Sequence, residues 1–191
     1  MNIKFNMRCV PRFKRRDETL LEMIGENTAN LQDRKWKRAL CVHEAAHAEY
    51  AERYGSEPAV FEAPLAFIYD ESDGSFTLKE AQVWVDVPHY WRDDLKQMLA
   101  AGVVERALMP GFQSEDEALG STSEGGDYVY VLAALKRGRV PKSQHVKVLK
   151  QVRREILRDL RNPAFRKVIL QRAKSYQRIL EKAIAKRRKA A

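Results

Sequence analysis

A stretch of helical periodicity over about residues 31–54 constrains the fold of this chain most. Leu40, His43, His47 and Tyr50 recur there at spacings of three and four residues, so they fall on one face of a helix. This face is apolar enough to be buried, and two buried imidazoles without partners would be costly. A metal ion would satisfy both rings. The sequence therefore predicts an α-helix whose buried face carries a metal-binding histidine pair.

The same stretch contains His43-Glu44-Ala45-Ala46-His47, which is the HExxH spacing. The two imidazoles lie one turn apart and can reach one Zn²⁺ at about 2.0–2.1 Å. Glu44 lies one step round the helix, where it can take a proton from a water whose pKa the zinc lowers towards ~7. The alternative is a solvated surface helix with an accidental match, for which the composition gives a chance of roughly one in a hundred. The pattern favours metal-assisted hydrolysis.

A catalytic zinc site needs a third protein ligand. His89 follows Pro88 at a predicted strand-to-helix corner and His145 lies in a basic segment, so neither has a ligand-like context. The carboxylate candidates are Glu105, inside a predicted helix, and Asp127, at the start of another. Spacing alone does not choose between these two.

The remaining pattern predicts an α+β fold that is predominantly helical. Extended segments at 59–69 and 76–87 flank a turn with hairpin chemistry. Helices are predicted at 90–108, at about 127–135, and twice between 139 and 191. In the last of these helices, Asn162 is the expected N-cap and Pro163 the first helical residue.

Charge is distributed unevenly along the 191 residues, whose net charge is +9. Residues 136–191 hold 20 Lys and Arg against 3 Asp and Glu, a net of +17, whereas residues 39–135 hold 5 against 18, a net of −13. The basic segment is either the solvated face of a packed helical hairpin or a surface for nucleic acid, anionic lipid or an acidic partner. Any nucleic-acid binding is expected to be non-specific and strongly salt-dependent.

Several classes of protein do not fit the sequence. The longest apolar run, Met98 to Val104, is far shorter than the ~18 residues of a membrane span, so we expect no transmembrane segment. The first residues lack the apolar core of a secretory signal, and two cysteines cannot build a disulfide framework. We therefore expect a cytoplasmic protein. A G-x-x-x-x-G-K-[ST] loop is absent from the sequence, and with it a P-loop ATPase module.

Three stretches together resemble a known family. Val42-His43-Glu44-Ala45-Ala46-His47-Ala48 is similar to the HEAGHA signature of the M41 peptidases, the protease domain of FtsH-type membrane proteases. Ala101-Gly102-Val103-Val104-Glu105 resembles the GRxAE-like helix of that family, without its Arg. Glu124-Gly125-Gly126-Asp127-Tyr128, after an acidic Gly-rich loop, resembles its SNDL-like segment. The match covers roughly residues 35–135, with Ala46 in place of a Gly.

The resemblance implies a zincin-like domain with a small β-hairpin at residues 31–138, between a basic N-terminal arm (1–30) and a basic helical tail (139–191). It implies His43, His47 and Asp127 as zinc ligands and Glu44 as the general base. Glu105 would then support the site from the neighbouring helix, although spacing leaves it as the alternative third ligand.

The implied activity is that of a zinc-dependent metalloendopeptidase, which hydrolyses flexible or unfolded protein segments by a zinc-activated water. The family resemblance also favours ring-shaped homo-oligomers. Two alternatives stay open. One is a non-catalytic, metal-stabilised binding protein that acts on a polyanion or acidic partner through residues 136–191. The other is a regulatory protease that cleaves one DNA-associated partner.

Overall fold

The computed structural model describes residues 34–63, 66–70, 75–79, 82–86, 89–109 and 126–190. The predicted N-terminal arm of residues 1–30 lies outside the described residues, as does nearly all of the acidic loop before Asp127. In these ranges the chain is predominantly helical, as predicted.

Five α-helices make up most of the described chain. They are α1 Arg34–Arg53, α2 Trp91–Leu108, α3 Gly126–Arg137, α4 His145–Asp159 and α5 Pro163–Ala190, with a short 3₁₀ turn at Lys142–Gln144 before α4. Asn162 Oδ1 accepts the backbone N–H of Ala164 at 2.9 Å, so the predicted cap of α5 is confirmed.

Each predicted extended segment contains two short strands. The strands are β1 Val60–Glu62, β2 Ala66–Asp70, β3 Ser75–Lys79 and β4 Gln82–Trp84. β2 and β3 pair antiparallel, and β1 pairs antiparallel with β4 with Phe61 opposite Val83. The two pairs form separate two-stranded sheets, and β4 packs on α1.

Helix α1 runs through the centre of the molecule. Every residue from Ala39 to Ala51 is buried, so the helix is covered on all sides and not only along one apolar face. It is not a solvated surface helix. Many of its residues are alanines, whose small side chains let α2 and α5 approach closely.

The two helices after residue 139 share the core of the preceding elements. α4 packs on α2 and buries Val152 and Ile156, while α5 packs on α1 and buries Ile169 and Leu180. Polar contacts add to this packing, because the hydroxyl of Tyr50 donates to Asp159 Oδ2 at 3.0 Å. Both helices of the basic segment therefore contact α1, the helix that carries His43 and His47.

Among the described helices, none combines the length and the apolar character that crossing a bilayer requires.

Candidate metal centre

The two histidines of α1 lie side by side in the interior. Their ring centroids are 5.0 Å apart, as expected for positions one helical turn apart, and the rings meet edge to face. His47 is fully buried and His43 is 7% exposed. Burial of two imidazoles calls for partners at all four ring nitrogens.

The Nδ1 atoms of both rings are held by acceptors on α2. His43 Nδ1 lies 2.8 Å from Glu105 Oε2, and His47 Nδ1 lies 3.1 Å from the backbone oxygen of Gln97. A carbonyl or carboxylate oxygen can only accept, so each Nδ1 carries the proton. In the neutral rings this leaves a lone pair on each Nε2, which is the arrangement that prepares an imidazole for a metal.

Asp127 faces both Nε2 atoms from the first turn of α3. Its Oδ2 lies 3.0 Å from His43 Nε2 and 3.4 Å from His47 Nε2. The candidate ligand atoms of these three residues all lie within 4.8 Å of one another, so the group could hold a metal ion. Glu105 contacts the opposite nitrogen of His43, so the structure brings it to the site without placing it in this group.

Two of the buried atoms without hydrogen bonds belong to the candidate ligands. Within the described residues, His47 Nε2 and Asp127 Oδ1 are both buried and lack a hydrogen-bond partner. Such atoms are rare in native proteins and often mark a bound ion or water. A metal bound between the two rings and Asp127 would take up the lone pair of His47 Nε2. Two imidazole nitrogens and one carboxylate suit Zn²⁺ and other first-row divalent metals.

Glu44, which follows His43 in α1, is fully buried. Its Oε2 accepts the backbone N–H of Val83, in β4, at 3.1 Å. This bond fixes the carboxylate between α1 and the β1–β4 sheet. Glu44 does not belong to the group of three candidate ligands.

Opposite charges balance among these side chains. Burial lowers the pKa of His43, but hydrogen bonds and charge from Asp127 and Glu105 outweigh it and raise the pKa to about 10. Burial raises the pKa of Asp127, but His47 and His43 together hold it well below its ordinary value. The carboxylate therefore stays ionised and able to bind a cation.

The remaining histidines stand elsewhere, as expected. His145 Nε2 lies 3.1 Å from the backbone oxygen of Val140, and His89 is exposed. Two contacts of the site were not predicted, namely the Gln97 carbonyl that holds His47 and the Val83 amide that holds Glu44. Both are backbone groups, which leave no signal in residue type or spacing.

Neither a protein-family model nor a curated protein nor a solved structure matches this chain. What the site can do follows from its own geometry and chemistry.

Proposed function

We propose that this protein is a zinc-dependent metalloendopeptidase of the M41 type. The observation that carries the proposal is the convergence of His43 Nε2 and His47 Nε2 on Asp127. Glu44, the next residue along the helix after His43, is fully buried. A zincin-like fold belongs to the same proposal, and the packing of β4 against the HExxH helix supports it.

In this proposal His43, His47 and Asp127 hold the zinc. Bound there, zinc would supply a Lewis acid that polarises a peptide carbonyl and acidifies a water. Glu105 and the Gln97 carbonyl keep the Nδ1 atoms protonated and the rings in place, so that both Nε2 atoms are available.

Glu44 acts as the proton acceptor. It is the carboxylate that follows the first ligand on the same helix, and the Val83 amide orients it from β4. Its burial keeps bulk water away from the proton transfer. It takes a proton at a carboxylate oxygen from the attacking water and returns it to the leaving amine.

Flexible or already unfolded protein segments are the proposed substrates. The sequence contains no P-loop motif, and unfolding of a stable substrate by a peptidase of this type needs an ATPase module. A peptide bond must still reach a site whose histidines are buried, and an extended segment needs the least space to do so.

The experiment compares wild type with Glu44→Gln and Asp127→Ala. Zinc content is measured by elemental analysis and activity by casein degradation, with Glu57→Gln as the control because Glu57 is an exposed glutamate outside the site. We expect Glu44→Gln to keep its zinc and lose activity by about 10²–10⁴-fold, whereas Asp127→Ala loses zinc. Full activity of Glu44→Gln would exclude the mechanism, and a zinc-loaded but inactive wild type would support the non-catalytic binding protein.

A further inference from the structure

The outer face of α4 carries a row of basic residues, Lys147, Lys150, Arg154 and Arg158, all of them exposed. We call these four residues the basic row. Their spacings of three, four and four residues keep them within about 80° round the helix axis. The row is about 16 Å long at about 1.5 Å per residue. Arg161, also exposed, follows in the turn after the helix.

The acidic residues of α4 do not neutralise this row. Glu155 Oε1 lies 2.7 Å from Arg92 Nη2, and Asp159 Oδ2 lies 2.9 Å from Lys96 Nζ, so both carboxylates face α2. Within the part of the chain that the structure describes, no residue of the basic row forms an ion pair. The row therefore presents an uncompensated positive potential to solvent.

The shape and chemistry of the row point to a linear polyanion. Charges in a single line suit a phosphate backbone, and the arginine guanidinium can bind phosphate oxygens in a bidentate way. The row contains no aromatic residue on which bases of a single strand could stack. The apolar residues of α4 that face the core, Val152 and Ile156, are buried. Only Val146 and Leu157 are exposed apolar residues of this helix, fewer than the continuous apolar face that insertion into a bilayer requires.

We propose that the basic row binds the phosphate backbone of double-stranded DNA without sequence preference. It shares no residue with the metal centre, so this binding does not depend on the metal. The hydrogen bond from Tyr50, one turn beyond His47, to Asp159 ties the inner side of α4 to the metal-binding helix. Bound DNA would therefore be held in a fixed relation to the metal centre.

The test uses the full chain and a fluorescein-labelled 30-bp DNA duplex of mixed sequence, with fluorescence anisotropy from 50 to 200 mM NaCl. The variant Lys150→Gln/Arg154→Gln/Arg158→Gln removes three charges from the row and keeps good helix formers. The matched control, Arg166→Gln/Lys174→Gln/Arg178→Gln, removes three charges from exposed positions of α5. Circular dichroism checks that both variants fold.

We expect the row variant to bind at least tenfold more weakly than wild type at 50 mM NaCl. The slope of log affinity against log salt should become shallower by about 2.7, at about 0.9 for each phosphate that the variant no longer neutralises. The control should stay within threefold of wild type, and the single variant Arg154→Gln should change the slope by about 0.9. A second duplex of unrelated sequence should bind equally well.

Three results would overturn the proposal. One is the absence of duplex binding at 50 mM NaCl. Another is an equal decrease of affinity in the row variant and the control, which would assign binding to diffuse charge. In the third, wild type binds vesicles containing phosphatidylserine, whereas the row variant does not bind them and still binds the duplex. This result would assign the row to a membrane surface.

Discussion

Replacement of Glu105 separates the two assignments of the third ligand. The residue is fully buried, and its Oε2 lies 2.8 Å from Nδ1 of His43, on the side of the ring away from Asp127. Glu105→Ala removes this acceptor without removing a proposed ligand. Removal of such a supporting hydrogen bond typically costs about 10–100-fold in metal affinity, which corresponds to about 1.4–2.7 kcal/mol.

Glu105→Gln provides the graded comparison. Its amide oxygen can still accept from Nδ1, so the ring stays oriented, while the charge that strengthens the bond is removed. We expect zinc affinity to fall by tenfold or less for Gln and by more for Ala. Asp127→Ala should weaken zinc binding more than either, because a ligand itself is removed.

Competition with a chromophoric chelator at fixed pH measures the affinity of each variant for zinc. Urea unfolding of the metal-free proteins shows whether a variant acts through the fold. If Glu105→Ala loses zinc completely while Asp127→Ala retains it, Glu105 is the third ligand and the assignment is wrong. Wild-type affinity in Glu105→Ala would refute the supporting role of the hydrogen bond.

Two further predictions concern stability. Gly138→Ala should lower the free energy of unfolding by about 1–3 kcal/mol, because a Cβ at this position would lie 2.4 Å from Cδ2 of Trp91; an unchanged midpoint in urea would contradict this. Hydrogen bonding to Arg172 lowers the pKa of Glu52 in the folded protein. The ionised Glu52 carboxylate therefore stabilises the fold above its unfolded pKa, near 4.5, and this stabilisation is lost as the pH falls through the folded pKa. The difference in unfolding free energy between wild type and Glu52→Gln should therefore be largest above about pH 5 and shrink towards pH 3; a difference that grows on acidification would show that the Arg172 pairing does not stabilise the fold.

Local spacing determined much of the site in advance. The helix of His43 and His47, and the cap at Asn162, follow from contacts between residues only two to four positions apart. The burial of α1 on all sides was not predicted, because the pattern shows one apolar face and not which elements cover the others. The basic row was also present in the sequence, since its period is helical, but net charge alone does not reveal it.

Tertiary structure decided how the distant parts of the site meet. Spacing alone did not choose between Glu105 and Asp127, and only the family resemblance favoured Asp127, because spacing does not say which imidazole nitrogen each carboxylate faces. Packing of α2 against α1, and of α3 against α2, puts Glu105 at Nδ1 and Asp127 at Nε2 of His43. The contacts of His47 with the Gln97 carbonyl and of Glu44 with the Val83 amide depend on the same packing. Helical periodicity orders neighbours along one element, whereas contacts between elements depend on how their surfaces fit together.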